Sequence, residues 1–496
     1  MAATNLAPAG QEALIPVEEL TGPEPVLHCA NALDLIPTLP DASVDAIVTD
    51  PPYELGFLGK AWDASGIAYS VDLWAECLRV LKPGGHLAAF GATRTYHRMA
   101  VAVEDAGFEI RDSLHWLYGT GFPKGQDVGK LIDRRRDEHP ARRRFTAEFA
   151  ELRDAAGWTN PQIDALFGFN GMAQHWTTQR RSAAVPTVEQ WQKLKAAMGV
   201  EPPAELEDLV HELNGRKNEP GEAWAQREVV DRGYRVRSRE SDVPIAAVSK
   251  GVYDVTVPAT AEAARWDGWN TSLKPGHEPI VLARKPLEDT VAGNVLAHGT
   301  GAMNTAACRT PPGAPEGRWP TNVVLSHAWA VDADGWIVDG CADGCTEGCP
   351  VAELDAQSGL LTSGANPRRR GADKFRDVYG DFKGQAVCKP VRGADSGGAS
   401  RFYPAFRYQA KAPTKERPRL LDGTVHPTVK PVALMRWLVR LLTPPGGLVL
   451  DPFAGTGTTL EAARLEGFPS MGVEEKSAYA ELCRLRLRRD VVRVGA

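Results

Sequence analysis

The 496-residue sequence has no apolar run approaching the ~18 residues that a membrane-spanning helix needs. Its first residues lack the basic-then-apolar pattern of a secretory signal. With only 8 cysteines, it has too few for a disulfide scaffold of this length. From these absences we expect a cytoplasmic protein without a membrane partner, in which any cluster of cysteines serves metal binding or packing.

Positive charge is also scarce in one place, because residues 1–50 contain neither Lys nor Arg. Across the chain, 57 basic and 63 acidic residues give a net charge of −6, which argues against a surface built throughout to attract polyanions. A negative total can still conceal a local basic face. Six arginines fall within eleven positions: Arg134, Arg135, Arg136, Arg142, Arg143 and Arg144.

The sequence alternates between strand and helix patterns near both of its ends. An apolar run at 44–49 stops at two prolines, and a helical spacing at 73–81 leads to a further apolar run at 87–90. The same alternation returns between 431 and 474. We therefore predict one α/β domain in two halves, 26–125 and 426–496, with a long insertion at 126–425 and a poorly ordered lead-in at 1–25.

A glycine-rich turn follows the predicted strand 448–451 and opens a helix. Gly455 and Gly457 allow the backbone to turn sharply and to approach a ligand closely. The turn lacks the third glycine of a dinucleotide fingerprint and the Gly-Lys-Thr of a phosphate loop. Glu474 ends the next predicted strand, about 20 residues further on, where a carboxylate can accept hydrogen bonds from two ribose hydroxyls. The pattern indicates a nucleotide-like cofactor.

The tetrapeptide Asp50-Pro51-Pro52-Tyr53 ends the strand 44–49, at the edge where open α/β sheets bind their ligands. Asp50 and the Pro51 carbonyl can accept hydrogen bonds, and Tyr53 offers a flat face for stacking. An amino group on a planar ring would fit, since bonds to both acceptors leave its lone pair directed at an electrophile. Alone, the tetrapeptide is as readily a plain proline turn; the glycine motif on the same sheet edge argues against that.

Together, Asp50-Pro51-Pro52-Tyr53 and Phe453-Ala454-Gly455-Thr456-Gly457 resemble the amino-group DNA methyltransferases, which use S-adenosylmethionine. The order of catalytic motif, recognition region and cofactor motif is similar to that of their β class. Segment 426–431, His-Pro-Thr-Val-Lys-Pro, resembles the family's lining of the methionine end of the cofactor site, and 266–280 resembles a stretch of phage and bacterial members. The resemblance is close over 26–125 and 420–490.

This resemblance implies a Rossmann-like methyltransferase sheet, split by an inserted target-recognition region. It also implies that Asp50 and the Pro51 carbonyl hold the target amine, that Tyr53 stacks on the base, and that Glu474 binds the cofactor ribose. The implied catalytic residues are Asp50, Pro51, Pro52 and Tyr53. The implied cofactor-binding residues are Asn31, Lys430, Asp451, Phe453, Ala454, Gly455, Thr456, Gly457, Thr458 and Glu474.

Two positions bear on the details of this resemblance. Ala30-Asn31 stands where family members often have Gly-Asp. Asn31 can still accept a hydrogen bond from the cofactor's adenine, but it lacks the negative charge of the aspartate. Asp50 favours adenine as the target base, because the cytosine-modifying relatives more often carry serine there. The resemblance therefore predicts methylation of the N6 amino group of adenine, with the N4 amino group of cytosine as the alternative.

Double-stranded DNA is the partner that follows, and the target base must be flipped out of the duplex. Trp266 and Trp269 are candidates for the surroundings of that base, although a tryptophan pair is more often part of a core. Helical patterns within 145–200 predict a helix-turn-helix, whose segment 171–179 would read base edges; the alternative is a small helical insertion. The two arginine clusters would contact phosphates or, alternatively, form a solvated charged helix.

The cysteine cluster lies within 320–355. Cys341, Cys345 and Cys349 recur at every fourth position, and His327 precedes Cys341 by fourteen positions. Three thiolates and an imidazole predict a structural zinc site, although a spacing of three intervening residues is less common than two. The alternative is a turn-rich loop of thiols without metal. Residues 360–400, rich in Gly, Arg, Ser and Asp, predict a mobile loop.

Several rival functions stay open from the sequence. Methylation of RNA or of a protein glutamine amide would use the same site chemistry. A DNA-binding regulator that keeps the cofactor pocket without transferring methyl groups is a rival of another class, although such a protein has no need of Asp50 and Tyr53 together. A homodimer and a restriction-modification role are further expectations.

Overall fold

The computed structural model of the chain shows two compact units. The first contains the described residues up to Phe122 and from Pro275 onward, and the second those between Pro123 and Lys274. The structure describes residues 22–55, 61–118, 125–136, 138–169, 171–216, 219–234, 252–310, 317–327, 330–331, 337–338, 345, 349–364, 395–406, 418–426 and 428–488.

The described strands and helices are defined by the following bounds. The strands are β1 (Val26–His28), β2 (Val44–Thr49), β3 (Leu81–Phe90), β4 (Glu109–Leu117), β5 (Val229–Tyr234), β6 (Val252–Thr256), β7 (His277–Arg284), β8 (Val323–Ser326), β9 (Ala330–Val331), β10 (Ile337–Val338), β11 (Leu361–Ser363), β12 (Asp395–Gly397), β13 (Ala405–Phe406), β14 (Val449–Asp451) and β15 (Ser470–Val473). The helices are α1 (Ala32–Leu35), α2 (Val71–Val80), α3 (Tyr96–Asp105), α4 (Val128–Arg134), α5 (His139–Ala155), α6 (Asn160–Phe167), α7 (Val188–Met198), α8 (Ala204–Gly215), α9 (Glu222–Ala225), α10 (Ala261–Arg265), α11 (Val291–His298), α12 (Pro350–Ser358), α13 (Val432–Leu442), α14 (Thr458–Glu466) and α15 (Ser477–Leu487).

The first unit is built on a nine-stranded sheet in the order β1-β15-β14-β2-β3-β7-β4-β8-β13. Only β7 runs antiparallel to its neighbours β3 and β4, whereas the other adjacent strands are parallel. Every residue of β2 is buried, as expected of a parallel strand covered on both faces. The sheet confirms the predicted α/β, Rossmann-like fold class.

Helices cover both faces of this sheet. On one face, Trp74 of α2 and Val103 of α3 pack against Ile47 and Leu87. On the other, Leu438 of α13 packs in a cluster with Ala46 and Phe90. The amphipathic sequences of α2 and α13 account for their positions, because each has apolar residues at helical spacing.

The predicted extent of the insertion, 126–425, needs correction. Strands β7, β8 and β13 all lie within that range, yet they belong to the main sheet. Strand β7 inserts between β3 and β4, with Ile280 paired to both Phe90 and Leu114. Local strand-helix alternation cannot reveal such a strand, because its neighbours in the sheet are distant in sequence.

The second unit has its own helical core. Phe145 and Phe149 of α5 pack edge-on against Trp191 of α7, which lies 1% exposed. The helix predicted at 171–179 is instead a single 3-10 turn, Ala173–Trp176. Trp176 is buried in this core, and Asp164 accepts hydrogen bonds from the backbone N–H groups of Gly171 and Ala173. The helix-turn-helix prediction therefore lacks its recognition helix.

Other expectations meet the limits of the described residues. The predicted mobile loop falls largely on 365–394 and the lead-in largely on 1–21, both outside the described part of the chain. Where the ends of the predicted loop are described, they pair as the antiparallel strands β11 and β12. The described helices include no segment with the length and hydrophobicity that a lipid bilayer requires.

Candidate active site

The two predicted motifs lie at the carboxyl ends of adjacent parallel strands. Strand β2 leads to Asp50, and strand β14 ends at Asp451. Leu450 pairs with Ile47, which sets the two strand ends side by side. The Thr49 hydroxyl donates a 2.7 Å hydrogen bond to Asp451 Oδ1, so the motifs are linked directly. The structure thus brings together residues that the sequence separates by about four hundred positions.

The loop after Asp50 is fixed by side chains that the sequence did not single out. Asp63, 2% exposed, accepts hydrogen bonds from Tyr53 N at 2.8 Å and from Leu55 N at 3.3 Å. The Thr95 hydroxyl donates to the Tyr53 carbonyl at 2.8 Å. Glu54 adopts a left-handed backbone with φ 55°, uncommon for a residue with a side chain. These contacts hold Tyr53 in one position.

Lys430 lies at the centre of a charged cluster around Asp50. Its Nζ is 2.7 Å from Asp50 Oδ2, 2.9 Å from Tyr53 Oη and 3.3 Å from Glu278 Oε2. Tyr53 donates its hydroxyl hydrogen to Glu278 Oε2 at 2.8 Å. Lys430 had been expected at the methionine end of the cofactor site; the structure places it against the predicted catalytic residues, and its contact with cofactor stays a prediction.

The protonation of this cluster follows from its charges. Burial lowers the pKa of Lys430, but Asp50 and Glu278 outweigh it and raise that pKa above its ordinary value, so the ammonium keeps its charge. Burial, together with the same two carboxylates, raises the pKa of Tyr53 well above its ordinary value, so the phenol stays protonated. Two carboxylates and one ammonium leave the cluster with one excess negative charge.

The two carboxylate oxygens of Asp50 differ in their hydrogen bonding. Oδ1 is buried, and within the described part of the chain no group donates a hydrogen bond to it. Buried polar atoms in proteins nearly always have a partner, and an exception calls for an explanation. An amine donor of a ligand would satisfy this oxygen, while Lys430 holds the other one in place.

The glycine turn forms a tight loop between β14 and α14. Phe453 N donates to Asp451 Oδ1 at 3.1 Å, and Ala454 N donates to the Val473 carbonyl at 2.8 Å. Gly457 has φ 75°, and a Cβ on it would lie 2.3 Å from Cys483 Sγ. The loop therefore requires glycine at this position both for its backbone and for space. Thr458 begins α14 beside it.

Glu474 holds the same loop from the neighbouring strand β15. Its Oε2 accepts a hydrogen bond from Gly455 N at 2.9 Å, and its Oε1 accepts one from Lys476 N at 2.9 Å. Burial raises the pKa of Glu474 to about 7 and that of Asp451 to about 6. Both carboxyl groups therefore titrate close to neutral pH, where a bound ligand can shift their ionisation.

Asn31 lies at the same edge of the sheet. Its Oδ1 caps α1 by accepting a hydrogen bond from Leu33 N at 2.9 Å, and its Nδ2 donates to Glu475 Oε1 at 3.3 Å. The backbone N–H of Ala30 donates to the Glu474 carbonyl at 3.1 Å. Asn31 and Glu474 are thus neighbours at the ends of β1 and β15, as a shared cofactor site requires.

His426 and Tyr479 are additional residues at the glycine loop. Their rings meet edge to face with centroids 4.4 Å apart. A Cβ built on Gly455 would lie 3.7 Å from His426 Nε2, so the imidazole borders the loop. His426 belongs to a segment that the sequence already indicated. Tyr479 carried no local signal, because its position depends on how α15 packs.

The structure also places the residues predicted to contact DNA. Trp266 and Trp269 lie in the second unit, 45% and 61% exposed, with their rings edge to face at 5.2 Å. They are therefore not core residues.

Arg142 pairs with Glu138 at 2.7 Å, and Arg144 pairs with Glu148 at 2.7 Å. Such pairs fit the alternative of a solvated charged helix for part of the cluster.

The predicted zinc ligands converge as far as they are described. Atoms of His327, Cys345 and Cys349 that could bind a metal lie within 4.8 Å of one another. Cys341 lies outside the described residues.

Comparison with known proteins identifies a matching family. A family model described as DNA methylase, of the N6/N4 methyltransferases, matches residues 44–149 and 255–484. The Type II methyltransferase M.HpaI of Haemophilus parainfluenzae is 33% identical over 104 residues, which are 20% of this chain and 33% of that protein. M.ScaI of Streptomyces caespitosus is 36% identical over 67 residues, 14% of this chain and 22% of that protein. The chain thus covers a third or less of these relatives.

Solved structures give low similarity over most of the chain. A DNA modification methylase of Thermus thermophilus, described as putative, aligns with 94% of this chain and 96% of its own at 16% identity and a TM-score of 0.32. The complex of M1.HpyAVI with SAM aligns with 94% of this chain and 100% of its own, at 13% identity and a TM-score of 0.33. The cytosine-N4-specific PvuII DNA methyltransferase aligns with 95% of this chain and 88% of its own, at 10% identity and a TM-score of 0.36. Scores at this level carry no functional argument.

Proposed function

Because the chain belongs to the N6/N4 family of DNA methylases, matching its model over about two thirds of its length, we propose that it methylates the N6 amino group of adenine in duplex DNA, with S-adenosylmethionine as methyl donor. The observation that carries this proposal is Asp50 Oδ1, a buried carboxylate oxygen without a described donor at the end of β2. The exocyclic amine of a base supplies the N–H that this oxygen lacks.

The residues of the glycine loop fit the cofactor. Gly455 and Gly457 bring the backbone close to any group bound at the end of β14, and Glu474 presents a carboxylate there for two ribose hydroxyls. Asn31 lies beside Glu474 for a contact with the adenine ring. When bound, S-adenosylmethionine supplies an electrophilic methyl group. Phe453, partly buried against the core, would form part of the wall of this site.

Asp50 positions and polarises the amine. A hydrogen bond from the amine to Asp50 Oδ1, with a second to the Pro51 carbonyl, directs the nitrogen lone pair out of the ring plane. Positive charge then develops on that nitrogen during transfer. The cluster of Asp50, Glu278 and Lys430 favours this charge, because its carboxylates outnumber its ammonium by one.

Tyr53 provides a surface for the flipped base. Lys430 Nζ contacts the hydroxyl edge of its ring, 2.9 Å from Oη and 5.0 Å from the ring centroid. A base stacking on Tyr53 would lie against a face of this ring, with its amine directed toward Asp50. Glu278 and Thr95 fix the two ends of the residue, at its hydroxyl and its carbonyl, so the ring need not reorient as the base arrives.

The central test replaces Asp50. We expect Asp50→Ala to abolish methyl transfer while S-adenosylmethionine still binds, because the cofactor-binding residues lie on other strands. Incorporation of labelled methyl groups into duplex DNA measures the first, and calorimetric titration measures the second. A variant that methylates DNA at the wild-type rate would overturn the assignment of Asp50. The inactive-regulator alternative predicts no transfer by the wild-type chain either.

Mass analysis of nucleosides from the methylated DNA identifies the target base. N6-methyladenine is the expected product, and N4-methylcytosine is the alternative that the family allows. Single-stranded RNA and a glutamine peptide serve as competing substrates, and label in either instead of DNA would contradict the proposal. The predicted homodimer is checked separately by light scattering.

A further inference from the structure

A second cluster of reactive side chains lies apart from the catalytic residues, at the far end of the main sheet. His327 follows strand β8, and Cys349 precedes helix α12. His327 Nδ1 is 3.3 Å from Cys345 Sγ and 3.6 Å from Cys349 Sγ. The methylase chemistry proposed above uses none of these residues.

These separations match those between ligands of one zinc ion. Zinc binds sulfur at about 2.3 Å and imidazole nitrogen at about 2.0–2.1 Å, so tetrahedral geometry places a nitrogen and a sulfur ligand about 3.6 Å apart. The two observed nitrogen-sulfur distances, 3.3 and 3.6 Å, agree with this value. All three ligand atoms lie within 4.8 Å of one another, which is close enough to share one ion.

The surroundings of the cluster fix two of its members independently of any metal. The backbone N–H of His327 donates to the Phe406 carbonyl at 3.0 Å, which extends the pairing of β8 with β13. Cys349 is completely buried in a cluster with Leu325 and Val351. It is also the N-cap residue of α12, so its position is set by the start of that helix.

We infer that His327, Cys345 and Cys349 bind a zinc ion that fastens Cys345 and the start of α12 to the edge of the sheet. Imidazole and thiolate are the ligand types of structural zinc sites, in which a fourth protein ligand completes the tetrahedron. The inference rests on these three residues, because Cys341 lies outside the described part of the chain. Zinc binding here would add to stability without taking part in methyl transfer.

Metal analysis of the untagged, purified chain tests this inference. We expect about one zinc per chain in the wild type and a loss of most of it in Cys345→Ser. Cys345 is exposed, so its replacement should not disturb the core. Cys29→Ser is the control for an exposed cysteine, and Cys308→Ser, 3% exposed, is the control for Cys349→Ser. Both controls should retain zinc.

Cobalt substitution gives an independent readout. Cobalt bound by thiolates in place of zinc absorbs visible light, and this absorption should disappear in Cys345→Ser but persist in Cys29→Ser. A wild-type chain with a zinc content near zero, or equal loss of zinc in Cys29→Ser and Cys345→Ser, would refute the site. S-adenosylmethionine binding is measured on the same samples, so failure here is distinguishable from failure of the methylase proposal.

Discussion

Lys430 is the residue that holds the predicted catalytic carboxylate in place. Its ammonium contacts both Asp50 and Glu278 while only 8% of the residue is exposed. Removing one member of a buried ion pair typically costs about 3–5 kcal/mol, because an unpaired charge remains. The stability of this site therefore depends on charge balance rather than on any single contact.

We expect Lys430→Met to lower the free energy of unfolding by up to about 3 kcal/mol, since it leaves two partly buried carboxylates without a cation. Glu278→Gln in the same chain should recover part of this loss, because only the Asp50 carboxylate then remains charged. Urea denaturation of the two single variants and the double variant measures their coupling. Strictly additive losses would contradict the charged cluster.

We expect Glu474 to make cofactor binding depend on pH. Its pKa of about 7 in the unliganded chain exceeds its ordinary value, whereas ribose hydroxyls would donate to the ionised carboxylate and lower that pKa in the complex. Binding therefore releases a proton below pH 7. Since the folded pKa is raised, the stabilisation that Glu474 contributes to the unliganded chain is present at low pH and is lost as pH rises toward 7.

The affinity for S-adenosylmethionine should consequently rise between about pH 5.5 and 7.5, by up to tenfold per pH unit, and then level off. Calorimetric titration at several pH values measures it. Glu474→Gln should bind more weakly and show a flatter profile, with a residual change near pH 6 from Asp451. A wild-type affinity that is constant over this range would argue against ribose binding by Glu474.

The loop between β14 and α14 depends on a close approach to α15. Gly457 is the N-cap residue of α14 and Gly467 is its C-cap residue, and both have left-handed backbones, with φ 75° and 83°. Only Gly457 has a neighbour in the way, since a Cβ there would lie 2.3 Å from Cys483 Sγ. The two glycines therefore separate the backbone requirement from the packing requirement.

Gly467→Ala should cost about 1–2 kcal/mol for its left-handed backbone alone. Gly457→Ala should cost more and should also weaken S-adenosylmethionine binding, because the loop must move away from α15. Thermal denaturation compares the stability of the two variants, and cofactor titration compares their affinity for S-adenosylmethionine. Cys483→Ala should relieve the second effect, since the added Cβ of Gly457→Ala would then face a Cβ at 3.4 Å. Equal behaviour of the two alanine variants would contradict this explanation.

Strand order also explains which parts of the site the sequence could predict. Asp50 and Glu474 each end a strand of a parallel run, and the carboxyl edge of such a sheet is known in advance to bind ligands. Glu278 could not be predicted, because β7 runs antiparallel and reaches the site by inserting between β3 and β4. The segment 171–179 was misjudged because its polar residues suggested a surface helix, whereas Trp176 anchors it in a core.

The second unit is the candidate for DNA contact, and its arginines are not equivalent. Arg135 is exposed and forms no ion pair among the described residues, whereas Arg144 is paired with Glu148 at 2.7 Å. A charge already offset by a carboxylate contributes less to phosphate binding. The two residues therefore make a matched comparison within one cluster.

Arg135→Ala should weaken DNA binding at all sequences alike and reduce the slope of log affinity against log salt concentration by about one. Arg144→Ala should change that slope less. Fluorescence anisotropy with a labelled duplex, repeated over a series of salt concentrations, measures both. Should neither variant alter the slope, this arginine cluster does not contact phosphates.

The hydrogen bond between Thr49 and Asp451 spans 402 positions and has a consequence for biogenesis. At about 5–20 residues per second, a ribosome needs on the order of 20–80 s to add β14 after β2 has been made. Throughout that interval β2, which is fully buried in the folded chain, lacks one of its two neighbours in the sheet, and Glu474 has not been synthesised. Asp50 is therefore made long before the second motif, and the candidate site stays incomplete until β14 and Glu474 have been translated.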